Sequence, residues 1–158
     1  MFELIVQWVQ TSEPVVALRT SIWLYPVVNT AHLLGIALLV GGIVPLDLRL
    51  LGAYRSVPMS VLAPVLLPVV RFGFALTVIA GFALWAVRAD EYLVDDVFRI
   101  KLVLILLALI NIGLLRRGAP WRQALHDGPI KASVRAAAAG SMVLWLAVLF
   151  AGRLIGYR

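Results

Sequence analysis

The sequence predicts an all-α integral membrane protein: an antiparallel four-helix transmembrane bundle with an N-terminal amphipathic helix. Three observations carry that reading. Mean hydropathy is +1.00 and 63% of the residues are hydrophobic, too many for the polar coat that a water-soluble globule requires. Four apolar stretches approach or exceed the roughly 20 residues that cross a bilayer. The segments between them collect much of the basic charge behind a net +6, as loops on one face of a membrane do. Four spans leave no residues for a second unit, so 1–158 is read as a single transmembrane domain.

The elements follow in order. The opening stretch 2–10 (FELIVQWVQ) is apolar on one side but too short and too polar to cross, so it is expected to lie along the interface. It lacks the positively charged start and small-residue cleavage site of a cleavable leader. The first span is expected over about 24–46 and the second over about 72–87. Ahead of the second, the stretch 61–70 (VLAPVLLPVV) either extends it or lies at the interface. There Pro64 and Pro68 predict a broken or kinked approach. The third span falls at about 97–115 and the fourth at about 136–155. The segment 122–129 (RQALHDGP) between them is read as a loop with an Asp-Gly-Pro turn.

Orientation rests on lysine and arginine. One side carries Arg49, Arg55 and Arg71, then Arg116, Arg117, Arg122, Lys131 and Arg135. The other carries Arg19, Arg88, Arg99, Lys101, Arg153 and Arg158, diluted by Asp90, Glu91, Asp95 and Asp96. The first group is therefore expected in the cytoplasm and both termini outside, in a bacterial inner membrane. No basic run is interleaved with aromatics, so the positive charge is assigned to membrane topology and not to nucleic acid.

Small residues mark where helices meet in lipid, because close backbone approach replaces the hydrophobic effect as the source of cohesion. Gly35 and Gly42 in the first span, Gly73, Thr77 and Gly81 in the second, and Ala137, Ser141, Gly152 and Gly156 in the fourth supply such faces. The Gly152/Gly156 pair also allows association with a second copy or with a larger membrane complex.

Polar groups at membrane depth are costly and mark interiors or sites. Tyr25, Asn29 and His32 fall on one helical stripe, with His32 about 12 Å into the first span. Asn111 is the polar residue of the third span. His32 is either a structural imidazole bonded across the bundle, a haem b axial ligand, or a copper ligand or proton relay. Tyr25, Asn29 and Asn111 are the residues expected to share its site. Gly35, one turn on, leaves room for a flat macrocycle or a neighbouring helix. No second histidine lies in a span, and His126 belongs to the loop before the fourth. Asp47 is expected to pair with Arg71, and Arg153 with the acidic segment 90–96, as structural ion pairs at the span ends.

The pattern AHLLG at 31–35, DLRLLG at 47–52, FRIK at 98–101, Asn111 and AGRLIGY at 151–157 resembles an uncharacterised family of small bacterial inner-membrane proteins, over roughly 23–157. More remotely, the histidine-bearing first span and F-x-x-K resemble the copper-resistance D type membrane domain and a haem-associated membrane protoporphyrinogen oxidase. That remote likeness implies a redox cofactor held by His32. Relatives of the family often carry a histidine shortly after the asparagine of the third span, where this chain reads NIGLLR over 111–116. A protonated arginine there ligates no metal, which favours an accessory or structural role.

The absence of cysteine excludes disulfides and thiolate chemistry. No nucleophile–base–acid set, phosphate-binding glycine loop or metalloprotease spacing is present, so catalysis would require a cofactor. The leading expectation is an accessory or structural membrane subunit, and the alternative is a haem- or copper-binding redox protein.

Overall fold

The structure, a computed structural model, describes residues 2–157. Its elements in chain order are α1 (Phe2–Thr11), α2 (Glu13–Thr20), α3 (Leu24–Leu51), α4 (Met59–Val87), α5 (Ala89–Val94), α6 (Asp96–Arg117), α7 (Ala119–Leu125) and α8 (Ala132–Ile155). There is no strand among the described residues. Four helices, α3, α4, α6 and α8, are long and apolar enough to cross a membrane. Hydrocarbon offers no partner to a peptide group, so a spanning segment must satisfy its own N–H and C=O groups as a helix. The fold is an all-α membrane bundle.

All four spans are longer than the hydropathy alone marks out, and local capping sets the ends of α3. The Ser21 hydroxyl accepts from the amides of Trp23 and Leu24, at 3.3 and 3.1 Å, and so starts α3. At the other end Gly52, at φ +111°, takes the left-handed turn that closes α3. The Ala53 amide then bonds Leu48 O at 2.9 Å.

The segment 61–70 extends the second span, as one of the two expectations had it, and its prolines do not interrupt the helix. Met59–Val87 is one helix containing Pro64 and Pro68. Both prolines are exposed, within the first three turns of the helix, and each leaves one carbonyl without its helical donor. A second correction concerns the stretch read as a loop before α8. Residues Ala119–Leu125 form α7, which Pro120 opens, since its fixed φ suits a first turn. That helix stops where Asp127 adopts φ 59° and the Gly128 amide closes on Gln123 O at 2.8 Å.

The chain divides into two compact units. The first joins residues up to Leu39 with Arg71–Asp96. Within it α1 is tied to α5 by Gln10 Nε2 donating to Asp90 Oδ1 at 2.6 Å, and the first part of α3 runs antiparallel to the second part of α4. A methyl group on Gly73 would stand 2.6 Å from Leu39 N and 2.9 Å from Gly35 O, so the two backbones touch.

The second unit joins Val40–Val70 with the chain from Val97 onward. Its core holds Leu50, Met59 and Val134 almost fully buried, together with Trp121, Trp145 and Val148. Here Gly42 receives Val70, and α6 and α8 are antiparallel, with Lys101 beside Gly152 and Asn111 beside Gly140.

Candidate functional site

Each unit has its own polar centre. The first is His32, on the part of α3 that packs against α4. Its Nδ1 lies 2.9 Å from Thr77 O. A carbonyl only accepts, so Nδ1 carries the proton of this bond. The glycine spacing produces this contact. A methyl on Gly35 would fall 2.6 Å from Thr77 Oγ1 and 2.7 Å from Thr77 N, and one on Gly81 would fall 2.8 Å from His32 Cε1. Only glycine at both positions lets α4 come close enough for the imidazole to reach a main-chain oxygen. The Thr77 hydroxyl turns back onto Gly73 O at 2.8 Å, so it does not compete for the histidine.

The room beside Gly35 is therefore occupied by α4, leaving no slot there for a flat macrocycle. Tyr25 and Asn29 share the helical stripe with His32, but both are exposed while His32 is half-buried. Among the described residues no group of three or more His, Asp or Glu is placed to hold a metal ion.

The second centre belongs to the other unit. Asn111, half-buried on α6, donates from Nδ2 to Ala137 O of α8 at 2.9 Å. It also lines a cavity of about 30 Å³, shared with Asp47, Ser141 and Trp121 inside an apolar frame that includes Ile43 and Leu50. Asp47 retains only 7% of its accessible surface. Ser141 offers its carboxylate a side-chain hydrogen bond, but Oδ2 is buried without a partner. This differs from the salt-bridged helix end expected from the sequence. The arginines near that end of α3 are committed to backbone: Arg49 Nε donates to Val57 O at 2.6 Å and Arg55 Nε to Gly52 O at 3.0 Å. Arg71 is exposed.

The third expected ion-pair residue, Arg153, donates to the Tyr157 hydroxyl at 2.9 Å, with its guanidinium 4.7 Å from that ring's centre. In the acidic segment it was expected to meet, Glu91 pairs with Arg88 at 2.7 Å and Asp90 accepts from Gln10. Those nearby partners cost less side-chain freedom than a distant one. They hold the Asp90 carboxyl below its ordinary range, chiefly through the Gln10 hydrogen bond, and the Arg88 guanidinium above its own, chiefly through Glu91.

Sequence reasoning missed the Asp47 cavity. The signal was present, since Asp47 stands four residues after Ile43 and three before Leu50, both buried, which puts it on the inward face. Trp121, which lines the cavity, is hidden when 122–129 is read as a loop and the residues just before it are given no structure.

These features define a small multi-pass membrane protein with polar centres inside its helix packing. Residues 5–158 match the profile of a family of unknown function, DUF6644, and the chain belongs to that family. No curated protein and no solved structure matches it. The resemblance to an uncharacterised family is thus supported, whereas the more remote one to the copper-resistance D type domain is not.

Proposed function

We propose that this protein is a non-catalytic subunit of a larger assembly in a bacterial inner membrane, with both termini outside. The observation that carries the reading is the use made of His32. Its imidazole fastens α3 to the backbone of α4 through Thr77 O, in a crossing that Gly35 and Gly81 make close. A polar residue spent on packing in this way is what a structural membrane protein needs. A surface that a partner could cover is offered by α6, where only 6% of the most apolar stretch is buried by the chain itself, against 22% for α3 and α8. Leu102, Val103, Leu106 and Ile110 stand exposed there, to be covered by lipid or by another subunit.

The test is purification in mild detergent, followed by absorption spectroscopy, metal analysis and mass determination. A colourless preparation that runs with partner chains or as an oligomer is expected. A Soret band, or a strictly monomeric species copurifying with nothing, counts against the reading. His32→Leu should then lower stability by about 1–2 kcal/mol, the scale of one interhelical hydrogen bond, and leave the visible spectrum unchanged. For orientation, single cysteines introduced at Leu125 and Val94 in this cysteine-free chain should be labelled from the cytoplasm and the periplasm respectively. Periplasmic labelling at Leu125 reverses the topology.

A further inference from the structure

The packing role leaves the cavity beside Asp47 unexplained. A carboxylate this deep is among the most expensive groups a membrane protein can bury, unless it is neutralised and fully hydrogen-bonded. The side chains around it do not neutralise it, since no lysine, arginine or histidine lines the cavity. They satisfy it only in part: Ser141 offers one hydrogen bond, and Oδ2 has no partner. Arg49 and Arg55, the nearest basic residues along the chain, are held by main-chain carbonyls.

The other polar groups lining the cavity include two further oxygens. Asn111, which lines the cavity, commits its Nδ2 to Ala137 O, so its amide oxygen is the group left to accept or to ligate. Ser141 contributes a hydroxyl whose lone pairs stay open while it donates. Carboxylate, amide and hydroxyl oxygens are the ligand set of hard cations. The volume, about 30 Å³, admits one occupant of the size of a water molecule. Charge decides the valence: one carboxylate balances a single positive charge, whereas a dication would leave an uncompensated charge in a low-dielectric interior.

We propose that the cavity lined by Asp47, Asn111 and Ser141 binds a small monovalent cation, with the Asp47 carboxylate as its charged ligand. The site goes beyond the packing role and does not depend on it. It would couple the closure of α3, α6 and α8 within this unit to the cation concentration at that end of the helices.

Thermal unfolding of the purified protein at pH 8 is the experiment, with sodium chloride as the probe and choline chloride at equal ionic strength as the control. Sodium should raise the midpoint by roughly 5–10 °C at about 100 times its Kd, and choline should not. Asp47→Asn should remove the sodium response, and Ser141→Ala should weaken the apparent sodium affinity several-fold. The proposal is overturned by equal midpoints in sodium and choline, by an Asp47→Asn protein that keeps the full response, or by a response to calcium in place of sodium. Should Asp47→Asn not fold, the sodium–choline comparison on the unaltered chain and the Ser141→Ala titration decide the matter.

Discussion

His32 and Asp47 lie on the same helix, and the structure treats them in opposite ways. His32 is half-buried, closed on Thr77 O at 2.9 Å and flanked by glycines that bring α4 against it. Asp47 is more deeply buried, yet Oδ2 lacks a partner and a cavity adjoins it. The difference shows how to read a polar residue within a membrane span. Where close backbone approach supplies an acceptor, the residue stabilises packing. Where a buried oxygen is left without a partner beside a cavity, the residue becomes a candidate ligand.

The largest expected effect breaks the first half of the comparison. Gly73→Leu would drive a side chain into Leu39 N and Gly35 O, which a methyl already approaches to 2.6 and 2.9 Å. Backbone atoms cannot yield as a side chain can. Loss of the folded protein from mild detergent is expected, and a Gly73→Leu protein with normal yield and thermal midpoint would show that the crossing is not tight.

A smaller effect, of opposite sign, sharpens the second half. A buried carboxylate with an unsatisfied oxygen costs stability, so Asp47→Leu should raise it by about 1–3 kcal/mol in sodium-free buffer. Differential scanning of the two proteins checks this. A lower midpoint for Asp47→Leu would mean that the carboxylate is already satisfied without added cation.

The smallest effect comes from a second acid, which serves as a control. Asp127 is exposed, and its carboxylate accepts from both the amide and the hydroxyl of Ser60 at the start of α4, where a negative charge is favoured. The Ser60 side-chain bond holds its pKa below the ordinary carboxylate value. The contribution is therefore complete above the unfolded pKa and disappears as pH falls through the lowered folded one. The midpoint should drop slightly on acidification below about pH 4, and Asp127→Asn should flatten that part of the profile while leaving any sodium response intact.

Much of the fold was legible because lipid imposes it. Four long apolar stretches leave the backbone little choice but helix, and Gly35, Gly73 and Gly81 announce where backbones meet. The ends were less legible. Pro64 and Pro68 argue locally for a break, but the helix Met59–Val87 runs through both. At the candidate sites, His32 could be singled out by chemistry, since an imidazole in a span needs a partner, but its partner is a main-chain oxygen that no sequence pattern names. Asp47 falls just past the expected end of the first span at residue 46, where an acid usually pairs, but the helix runs on to Leu51. Its true surroundings depend on Trp121 and Ser141, brought from α7 and α8 by tertiary packing.

The most direct test of the contrast is the effect of Gly81→Ala on stability, measured in the unaltered protein and again in the His32→Ala background. Alanine is favoured over glycine within a helix by about 0.5–1 kcal/mol, so the substitution should stabilise wherever there is space. With His32 in place the added methyl would lie 2.8 Å from Cε1, forcing the ring off Thr77 O. Gly81→Ala is expected to destabilise the unaltered protein by about 1 kcal/mol or more and to become neutral or stabilising once His32 is alanine. Stabilisation by Gly81→Ala in both backgrounds would contradict this, since the imidazole would then not be seated between the two helices.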